Sequence, residues 1–525
     1  MNPTLNGLAA NPALPPDLLD RLIALAVSPA AGGGEDGLLG SELAGRKDLA
    51  RDQVLALAAH DEGLAVTLAY RGRLHAADVD PLARPAAAIA LLEEGRGLPQ
   101  WPCLLAACPD AALRAKLAAC PGLPPEVTAV LAADPELDVV TELALFATPN
   151  PTVAARLAAH PHAEVRRAAA ANPGLPPDLL AALLTGEGLP PAASCLVCDR
   201  EPTPFVHDPY CPRTDCDLRG GAACDGSHRS TEHDTRWAAL ENPATPAEAV
   251  ALFTADPSSS LRQAVAARTG LPGEVYARLA RDPVPGVRWA VAGNPSIDEA
   301  LIRELATGRD PEVLRGLARH PRLPLDVLSG LAGGLRAGAE PLPRIAAAPA
   351  TEVEELAASA QPGVRMLVAQ RRDLPPGVRD ALAADPDEKV VGAVAAHPGL
   401  APGLLRAMVA RHGVRIHAQV AANPDVPADL LEELVRHDPP LRGVLRTVAG
   451  HPRATAAALR TCLTDGKARL HAAAHPALPA GELRALLDDP DWQVAEAAAA
   501  HPALPVSLMR ELARFPAPAE KGPNP

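Results

Sequence analysis

The chain is nearly without aromatic side chains. Phe, Tyr and Trp together make up 2% of 525 residues, although 48% are apolar. A core must therefore be built from Ala, Leu and Val, which suits closely packed helices. Sandwiches and barrels, rich in aromatic and β-branched residues, are not expected. No run of 18 apolar residues occurs, so no membrane span is expected. The formal net charge is −14, and a general nucleic-acid or anionic-membrane binder would need a basic surface. Catalytic signatures are missing too: no Gly-rich phosphate loop ending in Lys-Ser/Thr, no H-E-x-x-H and no G-x-S-x-G. The four tryptophans, Trp101, Trp237, Trp289 and Trp492, lie in separate segments and form no stacking platform. The start, MNPTLNGLAANPALPPDLLDRL, lacks a basic region followed by an apolar one, so no signal peptide is read. Nine cysteines without a secretion signal fit a reduced, cytoplasmic protein, in which clustered thiols more often bind metal than pair as disulfides.

Proline is abundant, at 59 residues, and regularly spaced. Length alone would suggest about three globular domains, but the spacing reveals a repeat instead. DPVPGVRWAVAGNPSIDEALIRELA (282–306), DPELDVVTELALFATPNPTVAARLA (134–158) and DPDWQVAEAAAAHPALPVSLMRELA (489–513) share one pattern. The Asn/His-Pro pair recurs at Asn242, Asn294, His320, His397, Asn423, His451, His475 and His501, and Arg268 and Arg371 stand in the same slot. A period of this size marks a solenoid. Asp before Pro reads as a helix N-cap. Val and Ala at helical spacing supply an apolar face. The next Asn-Pro or His-Pro ends the helix, because a residue before Pro is pushed out of the α region. Leu-Pro then opens a second helix. Two short helices cannot bury their faces alone, so neighbouring units must stack.

The unit resembles the leucine-rich repeat variant (LRV), a solenoid of about 24 residues per repeat. The resemblance implies an all-α fold: a right-handed superhelix of short α- and 3₁₀-helix pairs without strands. HEAT-type repeats are the alternative, with longer units. The expected organisation is an N-terminal array over 1–186, irregular over 28–104 where SPAAGGGEDGLLG reads as a loop. A Cys/His-rich insert over 187–234, a second array over 235–515 and a disordered tail over 516–525 follow.

The insert breaks the period and holds five of the nine cysteines. It has too few apolar residues to offset the conformational entropy of ordering it, so a staple is expected. Cys195-x2-Cys198-x12-Cys211-x4-Cys216 has the spacing of a tetrathiolate site. Structural zinc contributes on the order of 10 kcal/mol to small modules. Cys224 and His228 are further candidate ligands, with His207 and His233 nearby; two zincs would need eight ligands or sharing, which these five Cys and three His barely supply. The rival is an iron–sulfur cluster, which also takes four thiolates. The LRV resemblance implies a [4Fe–4S] centre as that alternative, although in the family it precedes the repeats and here the cysteines are internal. Cys224-Asp225-Gly226-Ser227-His228 also resembles the CDGSH signature of [2Fe–2S] proteins with three Cys and one His. This chain departs from it at Thr214, where a cysteine is due, and at Ala222, where a proline is due.

Other residues read as parts of the repeat. Cys108 and Cys120 occupy the Asn/His slot, with Cys103 near them, and Cys462 falls within a repeat helix. The histidines before proline would form a column suited to hydrogen-bonding adjacent turns. Arg166, Arg262, Arg288, Arg365 and Arg469 share one offset and are expected to pair with repeat carboxylates or carbonyls. The sequence thus points to a non-enzymatic scaffold for a protein partner, with a zinc-stapled insert acting as elbow or docking knob. The alternative is an iron–sulfur redox sensor or electron carrier docked through its solenoid. Neither nucleic acid nor a small-molecule substrate is expected.

Overall fold

The repeat pattern resolves into short helices joined by tight turns. The computed structural model describes residues 3–28, 37–208, 210–213, 216, 218–336, 338 and 340–514. The expected tail at 516–525 and most of the loop at 28–40 lie outside the described residues. Among those described there are 35 α-helices, three 3₁₀ turns and one two-stranded sheet. The fold is an all-α solenoid. No helix among the described residues is long and apolar enough to cross a membrane.

One repeat illustrates the logic. Helix Pro285–Gly293 buries Val287, Ala290, Val291 and Ala292. It stops at Asn294, whose backbone turns extended before Pro295. Helix Glu299–Ala306 then buries Leu301, Ile302 and Leu305. The start differs from expectation. Asp282 is not the N-cap; the helix begins three residues later, after Val284. Asp282 instead accepts the Val284 N–H at 2.9 Å and binds Arg262 of the preceding unit at 2.6 Å. Asp134 and Asp489 make the same short turn, accepting from Glu136 and Asp491. A carboxylate two residues before an N–H is satisfied by that turn as readily as by a cap. Asp310 does cap its helix, through the Glu312 N–H.

The chain forms two compact units, His75–Val327 and residues up to Leu74 together with those from Leu328 onward. A hydrogen-bonded ladder runs through the stack of each. In the first, Asn172 donates to the carbonyls of Ala144 and Ala147, Asn294 to those of Ala266 and Arg268, and His320 to that of Asn294. Arg268 fills its slot by donating to the Asn242 carbonyl at 2.7 Å. In the second unit Asn423, His451, His475 and His501 each donate to the slot before. The imidazoles share one arrangement. Nδ1 accepts the N–H two residues on, as Ala477 gives to His475, so Nε2 carries the proton and donates to the carbonyl. His320, His451, His475 and His501 are thus structural, as their slot suggested, whereas His397 occupies the slot with both buried ring nitrogens unpaired.

Two features were not foreseen. Asn11 extends the second unit's ladder past its last repeat, donating to Ala499 and His501 carbonyls at 2.9 and 2.8 Å, and Arg46 follows on Ala9 and Asn11. In the first unit, Asn242 donates to Ala170 and Asn172 at 2.8 and 2.9 Å. Helix Arg229–Glu241 therefore packs directly on Ala163–Ala171. The expected elbow is replaced by a lateral excursion: the cysteine segment leaves the stack and returns without parting it.

The arginine row is neutralised. Arg262, Arg288, Arg365 and Arg469 pair with Asp282, Asp310, Asp385 and Asp489 at 2.6, 2.6, 2.7 and 3.1 Å. Arg166 binds the carbonyls of His160 and Pro190.

Candidate metal centre

The insert is anchored on one repeat before its first cysteine. Ala193 donates to Pro161 O at 2.8 Å, Ala163 to Ser194 O at 2.9 Å, and Arg166 Nη1 to Pro190 O at 2.7 Å. His162 accepts the Glu164 N–H through Nδ1, so its Nε2 donates to Asp199 Oδ2 at 2.8 Å, just past Cys198. These bonds deliver Cys195 fully buried into a small core of Ala163, Val197, Leu218 and Cys224.

Local geometry then gathers donors. The tight turn Cys195–Cys198 points both sulfurs one way, and Cys198 Sγ accepts the Cys195 N–H at 3.1 Å. Strands β1 (Phe205–Val206) and β2 (Ala223–Cys224) pair antiparallel, Phe205 opposite Cys224. That register brings Cys224 back to the turn. Cys224 Sγ accepts the Gly226 N–H at 3.3 Å. His228, at the head of helix Arg229–Glu241, holds a left-handed backbone with φ of 56°, rare for a side chain other than glycine. Its Nδ1 lies 3.5 Å from Cys224 Sγ and 3.8 Å from Cys198 Sγ. The donor atoms of Cys195, Cys198, Cys224 and His228 all lie within 4.8 Å of one another.

The connection between the strands, residues 207–222, gathers a second group: His207, Cys211 and Cys216, again within 4.8 Å of one another. His207 Nε2 stands 3.2 Å from Cys216 Sγ. The quartet Cys195, Cys198, Cys211 and Cys216, first choice from spacing, is therefore not brought together. The hairpin sends Cys224 and His228 to the first turn and keeps Cys211 and Cys216 with His207. All six candidate ligands fall in one group or the other. His233 falls in neither and faces Ser258 and Ser260 at 2.9 and 3.1 Å.

Burial pushes the Cys195 thiol up to about 11, partly opposed by nearby backbone N–H groups. A cation among the sulfurs reverses that preference and holds thiolate. Burial likewise pushes Cys120 and Cys462 up to about 12. They are inert core thiols, and neither joins a metal-binding group among the described residues. Cys103 is exposed and Cys108 half-buried.

No protein-family model matches the chain, and no curated protein matches it. Solved structures with some likeness include a leucine-rich repeat variant with a novel repetitive motif, 24% identical, covering 51% of this chain and 84% of that one with a TM-score of 0.24. Another is the Pds5–Scc1 complex, 12% identical over 95% of this chain and 70% of that one, with a TM-score of 0.14. Scores this low add nothing to the hydrogen-bonded ladder, which establishes the helical stack by itself.

Proposed function

We propose that the protein is a non-enzymatic interaction scaffold whose insert is folded by a metal ion, zinc by preference, held by Cys195, Cys198, Cys224 and His228. The observation that carries this is the position of the insert. The ladder passes beneath it from Asn172 to Asn242, so the stack does not need it as a spacer. A segment that the solenoid bypasses, and that has a core of only a few residues, serves best as a projecting contact surface. Its small core is what a metal staple complements.

Zinc is favoured by compactness. Four donors around one tetrahedral ion with Zn–S of about 2.3 Å stand about 3.8 Å apart, which the 4.8 Å grouping accommodates. A four-iron cluster places its own irons and sulfides between the thiolates and spreads them further. One observation favours the second reading, a redox protein: the group has three Cys and one His, the ligand types of the CDGSH signature, and includes Cys224 and His228 of that motif.

Metal analysis of anaerobically purified protein, beside a visible spectrum, separates the two. Zinc without colour supports the scaffold reading. Iron with acid-labile sulfide and absorbance near 400 nm puts the redox reading first. The scaffold role is then tested by capture of partners from native extract with the intact chain and with a Cys195→Ser/Cys198→Ser variant. A partner lost with the variant, at unchanged helix content, places recognition on the insert. Equal capture by both would move recognition to the solenoid surface.

A further inference from the structure

We infer that His207, Cys211 and Cys216 bind a second metal ion, separate from the one assigned to Cys195, Cys198, Cys224 and His228. The inference rests on this group's own geometry and not on the scaffold reading.

The histidine is the starting point. His207 is 5% exposed. Its backbone is fixed in the hairpin, with its N–H on Ala222 O at 2.8 Å and its carbonyl on the Gly221 N–H at 3.1 Å. Its Nδ1 lies 2.9 Å from the Arg219 carbonyl. A carbonyl can only accept, so Nδ1 carries the proton and Nε2 keeps a free lone pair. That lone pair faces Cys216 Sγ at 3.2 Å. A carbonyl behind the ring and an unprotonated nitrogen in front is the second-shell arrangement of metal-bound histidines.

A simple S–H···N bond from Cys216 would account for one contact. It does not account for Cys211, whose sulfur is brought to within 4.8 Å of both other donors by a turn in which its N–H binds Asp208 O at 3.1 Å. Two thiols and one bare imidazole nitrogen converge where only one S–H could bond the ring. Arg213 Nη2 lies 3.8 Å from Cys216 Sγ and 3.1 Å from Glu201 Oε1. Thiolate and imidazole together select zinc or a similar divalent ion. On binding, two thiol protons leave to solvent.

The two sites differ in kind. The first offers four donors, with Cys195, Cys224 and His228 buried. The second offers three among the described residues, with Cys211 and Cys216 only half-buried. A site with three protein donors completes its shell with water or an incoming ligand, so its ion should exchange faster.

The test is zinc stoichiometry of the full chain, purified anaerobically, for wild type, Cys211→Ser and Cys198→Ser. The expected result is two equivalents in wild type and one in each variant. A colorimetric chelator should draw zinc from wild type in two phases, and the fast phase should be missing from Cys211→Ser. Should that variant lose both ions by unfolding the insert, cobalt(II) titration of metal-free wild type still decides: two steps with distinct thiolate-to-cobalt bands are expected. No zinc in wild type, a zinc content that Cys211→Ser leaves unchanged, or a single cobalt step overturns the second site.

Discussion

The side-chain amide of Asn242 is bonded to the carbonyl of Asn172 at 2.9 Å, although 70 residues of chain separate them. The same amide holds the Ala170 carbonyl at 2.8 Å. Asn242→Ala would leave both buried carbonyls without this donor, at a cost of about 1–3 kcal/mol. Urea unfolding followed by circular dichroism should show a lower midpoint with an unchanged native spectrum.

The same relationship makes the insert separable. Cys195→Ser together with Cys198→Ser should unfold the insert and leave the helices Ala163–Ala171 and Arg229–Glu241 protected. Hydrogen exchange resolved by peptide is the measurement. Loss of protection in those two helices would show that the insert belongs to the core of the stack.

Asn and His should be exchangeable in the ladder. His475 spans from the Ala477 N–H to the His451 carbonyl, as Asn423 spans from Asp425 to His397. His475→Asn should therefore cost little. His475→Ala, which loses both bonds, should cost about 1–3 kcal/mol. Thermal unfolding of the pair against wild type distinguishes a hydrogen-bonding slot from one that needs a ring.

His320, His397 and His451 are buried neutral, which gives the fold an acid limit. Burial holds His320 and His451 below the ordinary imidazole value, and burial with Arg372 and Arg379 nearby lowers His397 to about 4. The unfolded chain takes up these protons near pH ~6.5 and the folded chain only lower. Stability is thus complete above ~6.5 and lost as pH falls toward 4. Melting temperatures measured between pH 7.5 and 4.5 should decline, and His320→Asn should flatten the decline. Asp282, whose carboxyl Arg262 holds below the usual range, contributes to acid loss only below its ordinary value near 4.

The Arg262–Asp282 pair joins consecutive repeats through two bonds, Nε and Nη2 each to one carboxylate oxygen at 2.6 and 3.1 Å. Asp282 also closes its own turn through the Val284 N–H. Arg262→Ala should cost more than Asp282→Ala, because Arg262 also donates through Nη1 to the Asp256 and Pro257 carbonyls at 2.8 and 3.1 Å, and its loss leaves the buried Asp282 carboxylate without its counter-charge. Lower melting temperatures in that order, by a few degrees, are the expected readout.

The repeat was legible because its signals are local. A proline after Asn or His dictates where a helix stops, and Asn294, Asn423 and His475 do so in the structure. The helix start was less legible, since the oxygen of Asp282 could serve a cap, a turn or an arginine, and it takes the last two. The ligand partition was hidden for a different reason. Cys198 and Cys224 meet only because Phe205 pairs with Cys224, and two strands of two residues leave almost no pattern in a sequence. Asn11 carries the same local signal: AANPALPP at 9–16 matches AAHPALP at 499–505. What no local pattern states is which end a repeat stacks upon.

Asn11 meets the carbonyls of Ala499 and His501 across 488 and 490 positions of sequence. During synthesis Asn11 must wait for residues 499 and 501 before these hydrogen-bond acceptors exist. Until then helix Pro3–Ala10, which buries Leu5 and Leu8, lacks helix Trp492–Ala499 as a surface to cover. Once residues 499–501 are made, stretches 488 and 490 positions apart become neighbours, and the earlier one seals the later.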